Sequence, residues 1–169
     1  MPTEEIERKF LVWEVPADLA ERPSSEIAQG YLAIEPDGSE VRLRRRGGED
    51  TLTVKTGRGR VRGEKEIVLT AQQFDALWPL TEGRRVVKTR YLVGPIELDV
   101  YAGALSGLVV AEVEFASEAD AERFIAPQWF AADVTDDDAY KNRQLATDGR
   151  PSAGPRSGAT AARPTSGPA

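Results

Sequence analysis

The amino-acid sequence predicts an α+β fold that is mainly β, with antiparallel strands and helices packed outside the sheet. Eight runs with strand character follow one another along the chain, separated by short turn signals. Only three segments show helical periodicity. The chain has 169 residues, of which 40% are hydrophobic and 30% are charged, and these values are usual for one folded domain with a core.

The strand-like runs are rich in β-branched and aromatic residues. In chain order they are IERKFLV, IAQGYLAI, EVRLRRR, TLTVKT, GEKEIVL, RVVKTRYLV, IELDVY and LVVAEVEF. Turn residues lie between them, most clearly Pro36-Asp37-Gly38, Gly47-Gly48-Glu49-Asp50 and Gly94-Pro95. This alternation of strand and turn indicates a mostly antiparallel sheet.

The three helical segments are each preceded by a capping residue. Thr70 is a candidate N-cap for an amphipathic segment, and Ser117 with Asp120 forms a capping-box-like start for a second one. A third, short helix is predicted from Asp136 to Leu145, behind Thr135. The first two are expected to pack on the outside of the sheet.

The composition restricts the chemistry that this chain can perform. Cysteine and histidine are both absent, which excludes disulfides, thiolate nucleophiles, imidazole bases and zinc sites made of Cys or His. Any reaction must therefore use Glu, Asp, Lys, Arg, Tyr or a hard metal ion. The formal net charge of −6 argues against general attraction to nucleic-acid duplexes or anionic membranes.

The two ends of the chain differ from the rest. The N-terminus is acidic, unlike a signal peptide, and no apolar run is long enough to span a bilayer, so a cytoplasmic protein is expected. Residues 149–169 contain Gly, Pro, Ser, Ala, Thr and Arg without large apolar side chains. Such a segment cannot bury enough surface to offset its ordering entropy, and it is predicted to be a disordered tail after a domain of residues 1–148.

Charged residues alternate with other residues along most strands. The opening stretch EEIERKFLV places Glu5, Glu7 and Lys9 at alternate positions, and a period of 2 directs all three to one face. The same spacing recurs as basic pairs (Arg42/Arg44, Lys88/Arg90) and acidic pairs (Glu64/Glu66, Glu97/Asp99, Glu112/Glu114). Facing outward, these residues would form a solvated surface; facing inward, they would line a tunnel with an acidic and a basic wall. Spacing alone leaves both arrangements open.

The charged strands belong to an ordered set of short motifs. EIERKFLV contains the pattern ExExK, and it is followed by QGYL, VRLR, LTVKTGRGRVRGEKE, KTRY, ELDVY, GLVVAEVEF and VTDDDAYKN. This set resembles the triphosphate tunnel metalloenzymes of the CYTH superfamily, and in particular their small bacterial inorganic tripolyphosphatases. The resemblance covers the chain up to about Ala146.

The resemblance implies an eight-stranded antiparallel closed barrel, the triphosphate tunnel, which binds a small-molecule triphosphate on a basic wall and Mg²⁺ or Mn²⁺ on an acidic wall. The implied substrate-binding residues are Lys9, Arg42, Arg44, Lys55, Arg62, Lys88, Arg90 and Lys141. The implied metal ligands are Glu5, Glu7, Glu64, Glu66, Glu112 and Glu114, with Glu64 and Glu66 alternatively pairing with arginines. Asp99 is expected to pair with a basic residue of the tunnel, and Arg45 and Arg46 are expected to be solvated.

The expected reaction is hydrolysis, because no Cys or His nucleophile is present and a metal-oriented water can attack a terminal phosphorus. The catalytic candidates are Lys9, Tyr31, Glu5 and Glu7. A tunnel glutamate is one candidate general base, and Tyr31 is a second if the nearby ammonium of Lys9 lowers its pKa; alternatively, Tyr31 is a core residue with a satisfied hydroxyl.

The superfamily also contains class IV-type adenylate cyclases, thiamine triphosphatases and RNA triphosphatases, so the fold alone does not determine the reaction. An alternative of a different class is a non-catalytic module that binds polyphosphate or nucleotides. Such a module would need the basic wall but not the acidic pairs, and the acidic pairs are present. A homodimer is compatible with the sequence.

Overall fold

The strand-rich fold expected from the sequence is confirmed by a computed structural model, which describes residues 6–57 and 63–152. Within those residues the chain forms nine strands and three α-helices. The strands are β1 (Ile6–Val12), β2 (Ser24–Ile34), β3 (Glu40–Arg46), β4 (Glu49–Thr56), β5 (Gly63–Leu69), β6 (Arg85–Val93), β7 (Ile96–Tyr101), β8 (Val109–Phe115) and β9 (Phe130–Asp133). The helices are α1 (Ala71–Leu77), α2 (Glu118–Arg123) and α3 (Asn142–Asp148).

All nine strands belong to one antiparallel sheet with the order β5-β4-β3-β2-β6-β7-β8-β1-β9. This order corrects the closed eight-stranded barrel, because β5 and β9 form the two edges and do not pair with each other in the part of the chain that the structure describes. The ninth strand, FAAD, is only 4 residues long and forms by pairing with β1. Its sequence has no alternating pattern, so it could not be recognised locally.

The edge strand β5 is accessible to solvent along almost its whole length. It carries three consecutive charged residues, Glu64, Lys65 and Glu66, followed by Ile67 and Val68, which are 57% and 70% exposed. Charged side chains are a usual feature of sheet edges that do not close.

One face of the sheet changes from polar to apolar along the strands. Tyr31, Val86 and Tyr101 each lie two positions from a polar residue on the same strand, namely Gln29, Lys88 and Asp99, and residues at this spacing share a face. α3 packs over the apolar part, where Leu145 and Ala146 join a buried cluster. The cluster comprises Tyr31, Val86, Tyr101, Leu105, Leu108, Val110, Leu145 and Ala146.

A second apolar cluster covers the opposite face. It comprises Phe10, Ile96, Leu98, Ala111, Val113 and Phe130, with Phe124 and Trp129 packed against it. The rings of Phe10 and Phe130 are 4.8 Å apart between centroids, and this contact holds the short strand β9 against β1. Both faces of the central strands are therefore occupied, one by this cluster and the other by the polar residues and α3.

The predicted helix starts are found at α1 and α2. Thr70 and Gln73 form a capping box, and the side chain of Ser117 accepts a hydrogen bond from the amide of Asp120. The third helix begins later than predicted, because Lys141 is extended and separates a short 3₁₀ turn, Asp138–Tyr140, from α3. Across residues 6–57 and 63–152, every helix is too short or too polar to cross a membrane.

The first residues of the predicted tail contact the domain. Gly149 ends α3 with a φ of 79°, a conformation that glycine adopts without strain. Arg150 and Pro151 line a groove together with Leu108 and Tyr140. The prediction for residues 153–169 lies outside the described part of the chain.

Removal of the side chain that anchors α3 tests this packing. We expect Leu145→Ala to lower the free energy of unfolding by about 2–5 kcal/mol, because it creates a cavity in the buried cluster. Thr147→Ala on the same helix is the control, since Thr147 is exposed and its change should stay within about 0.5 kcal/mol. Urea denaturation measures both values, and equal effects would contradict this role of α3.

Candidate active site

The polar part of the sheet face that α3 partly covers lines a cavity of about 380 Å³. Its lining contains seven basic residues, which are Lys9, Arg42, Arg44, Arg46, Lys55, Lys88 and Arg90. It also contains six acidic residues, which are Glu7, Glu64, Glu66, Glu97, Glu112 and Glu114. Gln29, Asn142 and Ile27 complete the described lining. The alternating charges of the strands are therefore brought together around one space.

Three arginines of β3 give the cavity an excess of positive charge on one side. Arg42, Arg44 and Arg46 are spaced by two residues and therefore point to the same face. Among residues 6–57 and 63–152, none of the three forms an ion pair. Arg42 is buried, and its Nε has no hydrogen-bond partner in the same residues. These groups are suited to bind an anion.

The side chain of Arg44 is held at the cavity by an uncharged partner. Its Nε donates a hydrogen bond of 3.3 Å to Oε1 of Gln29. Burial and the neighbouring charge of Arg42 lower the pKa of the Arg44 guanidinium. The guanidinium still remains charged, because arginine does not lose its proton in proteins.

A buried ion cluster lies on β6 and β7, and its residues Lys88 and Arg90 line the cavity. Asp99 is completely buried and pairs with Lys88 and with Arg90. Arg90 donates to both oxygens of Asp99, at 2.6 and 2.7 Å, and to Oε2 of Glu112 at 2.7 Å. It also pairs with Glu97. The predicted pairing of Asp99 with a basic residue is present, and Arg90 links strands β6, β7 and β8.

The ion cluster shifts the pKa values of its members. Burial raises the pKa of Asp99, but the hydrogen bond from Arg90 and the charge of Lys88 outweigh it and hold this pKa below its usual range. Burial also raises the pKa of Glu112, and the charges of Lys88 and Lys9 bring it below its usual range. Burial lowers the pKa of Lys88, and Asp99 opposes this shift. The lowered pKa values keep the carboxylates of Asp99 and Glu112 ionised at neutral pH.

The acidic side of the cavity is built by β1 and β8. Glu7 lies directly opposite Glu114 in the strand pairing, and Lys9 lies opposite Glu112. Lys9 Nζ is 3.2 Å from Oε1 of Glu112. Carboxylates at directly opposed positions repel each other, and a divalent cation relieves that repulsion.

Three carboxylates of this side, Glu7, Glu112 and Glu114, fit a hard divalent metal ion. They lie on two paired strands of the cavity lining and supply the oxygen ligands that Mg²⁺ and Mn²⁺ prefer. In the described residues they are not already gathered into a cluster of three metal-binding groups.

The two glutamates of β5 have local partners. Glu64 is 3.6 Å from the ammonium of Lys55, and Glu66 accepts a hydrogen bond of 2.8 Å from the hydroxyl of Thr53. These two residues were expected either to bind metal or to pair with arginines. Glu64 pairs with another lining residue, although that residue is a lysine rather than an arginine. Two further predicted site residues, Glu5 and Arg62, lie outside the described residues.

The structure places Tyr31 in the apolar cluster under α3. Its side chain is buried, and its hydroxyl accepts a hydrogen bond of 2.7 Å from Nε2 of Gln29. Burial, together with the charge of Glu40, raises the pKa of Tyr31 to about 12. The lowered pKa expected from Lys9 is therefore wrong, and the structure matches the alternative of a core residue with a satisfied hydroxyl.

Two residues, Lys141 and Arg46, differ in position from what the sequence suggested. Lys141 does not line the cavity and pairs with Asp138, whereas its neighbour Asn142 does line it. Arg46 lines the cavity instead of being solvated. Its position continues the spacing of Arg42 and Arg44, and this was the signal available in the sequence. Arg45 points to the other face and pairs with Asp50 and Asp75.

Two curated relatives and one solved structure that are similar to this chain are named inorganic triphosphatases. The inorganic triphosphatase of Nitrosomonas europaea is 49% identical over 148 residues, which cover 84% of this chain and 96% of the relative. The inorganic triphosphatase of Acetivibrio thermocellus is 33% identical over 150 residues, covering 83% and 92%. A solved crystal structure of an inorganic triphosphatase is 48% identical, covers 87% of this chain and 96% of its own, and has a TM-score of 0.72. A scan against family models finds no match.

Removal of the central carboxylate tests the buried cluster. We expect Asp99→Asn to lower the free energy of unfolding by about 3–5 kcal/mol, because Lys88 and Arg90 would remain buried without their main partner. Asp75→Asn breaks an exposed ion pair of Arg45 and is the control. It should change the free energy of unfolding by no more than about 1 kcal/mol.

The pH dependence of the same variants gives a second measurement. A carboxyl whose pKa is lowered on folding stabilises the protein above its unfolded pKa, which is 3.8 for Asp. This contribution is lost as the pH falls below that value. The wild type should therefore lose stability below about pH 4, and Asp99→Asn should lose less. Parallel acid profiles for the two proteins would contradict the role assigned to Asp99.

Proposed function

This chain belongs to the inorganic triphosphatases of the triphosphate tunnel metalloenzyme (CYTH) superfamily, and from that premise we propose that its cavity binds and hydrolyses inorganic tripolyphosphate. The observation that carries the proposal is the row formed by Arg42, Arg44 and Arg46, which have no ion-pair partner among the described residues. Tripolyphosphate bears several negative charges on closely spaced oxygens. A row of guanidinium groups along one strand complements such a chain.

The reaction is attack of water on a terminal phosphorus. A new bond forms between the water oxygen and phosphorus, the bridging P–O bond breaks, and pyrophosphate leaves with the bonding electrons. The proton of the water is released to solvent, and the products are orthophosphate and pyrophosphate. The arginines of β3, with Lys9 and Arg90, stabilise the negative charge of the phosphoryl groups and hold the chain in place.

Inorganic triphosphatases are generally metal-dependent, and we propose Mg²⁺ or Mn²⁺ for this chain. Glu7, Glu112 and Glu114 would hold the ion, which when bound supplies charge neutralisation at the phosphate oxygens and activates water. The carboxylates themselves accept hydrogen bonds only, and so they can orient a water molecule toward the phosphorus. Lys9 pairs with Glu112 and lines the same cavity, so its ammonium is also a candidate partner for a phosphate oxygen.

The composition of the cavity favours a compact anion over a nucleotide. Ile27 is the single apolar residue of the described lining, which includes no aromatic ring. A nucleobase is usually held by stacking or apolar contacts, and the described lining offers little for either. The cavity therefore gives no specific support to the adenylate cyclase alternative.

A substrate panel tests the proposal. Phosphate release is measured with tripolyphosphate, ATP, GTP and thiamine triphosphate, each with Mg²⁺ or Mn²⁺, and cyclic AMP is measured in the ATP reactions. We expect the highest kcat/KM with tripolyphosphate. Cyclic AMP without phosphate release from tripolyphosphate, or binding of tripolyphosphate without turnover, would overturn the proposal.

Arg44→Gln tests the basic row. We expect kcat/KM for tripolyphosphate to fall at least about tenfold, because one charged contact to the substrate is lost. Lys65→Gln is the control, since Lys65 is an exposed cation on β5 at the position between two lining glutamates and therefore on the opposite face. Similar kinetics for the two variants would show that the row does not bind substrate.

Glu114→Gln tests the acidic side. Loss of one carboxylate should raise the Mn²⁺ concentration needed for half-maximal activity at least about tenfold, and Mn²⁺ should stabilise the variant less in thermal melting. Glu82→Gln, at an exposed position that does not line the cavity, is the control for the change in net charge. If both variants respond to Mn²⁺ like the wild type, Glu114 is not a metal ligand.

A further inference from the structure

Two uncharged amide side chains, Gln29 of β2 and Asn142 of α3, line the cavity where it adjoins the apolar cluster under α3, here called its closed end. Each of them is hydrogen-bonded to a buried tyrosine of the apolar cluster beneath, Gln29 to Tyr31 and Asn142 to Tyr101. This boundary separates the charged lining from the apolar core. Both amides satisfy a tyrosine hydroxyl, and both line the cavity in which a ligand would lie.

The two amides differ in the hydrogen-bonding capacity that remains. Gln29 is completely enclosed; its oxygen accepts from Arg44, and its nitrogen donates to Tyr31. Asn142 makes one hydrogen bond within residues 6–57 and 63–152, in which its Oδ1 accepts from the hydroxyl of Tyr101 at 2.8 Å. Its Nδ2 carries two N–H groups that have no partner in the same residues. Asn142 is therefore the amide with donors available to the cavity.

Tyr101 holds the orientation of this amide. The ring of Tyr101 is buried beside Leu105, Leu108 and Leu145, so the position of its hydroxyl is set by packing. Burial, with the charge of Asp99 next in size, raises the pKa of Tyr101, and the phenol keeps its proton at neutral pH. A hydroxyl that donates to Oδ1 leaves the nitrogen of the amide for another partner.

We propose that Asn142 is a substrate-binding residue that donates a hydrogen bond to a non-bridging oxygen of the phosphoryl group at the closed end of the cavity, and that Tyr101 is a positioning residue that orients its amide. This inference rests on the proposed function. It adds the residue that determines how deeply tripolyphosphate enters the cavity. The basic residues attract a phosphate at many positions along the cavity. A directional donor at the closed end fixes one position, and with it the phosphorus that water attacks.

The test compares Asn142→Asp with Gln144→Glu. Asn142→Asp keeps the shape of the side chain but replaces the donor with a carboxylate that repels phosphate. Gln144→Glu makes the same change of charge on the same helix, at a residue that does not line the cavity. We expect kcat/KM for tripolyphosphate to fall at least about tenfold in Asn142→Asp and to stay within about twofold in Gln144→Glu. Equal kinetics for the two variants would overturn the proposal.

Tyr101→Phe tests the positioning role. Loss of its hydroxyl should lower kcat/KM about threefold to tenfold in the otherwise wild-type protein, as expected for one misplaced neutral hydrogen bond. The same change in an Asn142→Ala background should have no further effect on kcat/KM. A purely structural role would lower stability equally in both backgrounds and leave the kinetics additive, and that outcome would overturn the assignment of Tyr101.

A binding measurement separates this inference from the proposed function. The rise in melting temperature with tripolyphosphate is recorded without divalent metal for the wild type and for each variant. If the wild type neither hydrolyses nor is stabilised by tripolyphosphate, the proposed function fails. If the wild type does both and Asn142→Asp matches it, only the inference about Asn142 fails. The expected result is turnover and stabilisation in the wild type with a reduced shift in Asn142→Asp.

Discussion

The structure depends on one buried carboxylate, that of Asp99. It lies at 0% exposure on β7, near the middle of the strand order, and it compensates the charges of Lys88 and Arg90 on β6. Charges are stable inside a protein only when they are paired and hydrogen-bonded. Because Asp99 pairs with both Lys88 and Arg90, β6 can carry these two cations at the cavity, where apolar side chains would otherwise be expected. The sheet can therefore line a polar cavity next to its two apolar clusters.

The compensation is local and does not extend to β3. Two strands, β2 and β6, separate Asp99 from the arginine row, which has no comparable carboxylate among the described residues. The like charges of that row favour the binding of an anion, which relieves their mutual repulsion. Among the described residues, β6 and β7 thus hold paired charges, whereas Arg42, Arg44 and Arg46 of β3 have no ion-pair partner. Burial of the apolar cluster under α3 stabilises the fold, whereas the arginine row contributes no ion pair among the described residues.

The sequence was sufficient for features that depend on local pattern. The strands β1 to β8, the caps at Thr70 and Ser117 and the shared face of the alternating charges all follow from period and capping chemistry. Features that depend on distant partners were not accessible. β9 exists only because it pairs with β1, and the environment of Tyr31 is set by a helix more than a hundred residues away in the chain. Asn142 entered the cavity instead of Lys141, because the extended backbone at 141 changes which side chain faces inward.

The exposed edge at β5 has a practical consequence for solubility. Ile67 and Val68 lie on a strand that pairs on one side only, within the described residues, and such an edge can recruit the same strand of another molecule. Glu64, Lys65 and Glu66 directly precede this apolar pair, and charged residues at such positions oppose edge-to-edge pairing. Neutralising either glutamate removes part of that protection along with a lining charge. Lost turnover in such a variant can therefore reflect self-association of the chain as well as a change in the cavity.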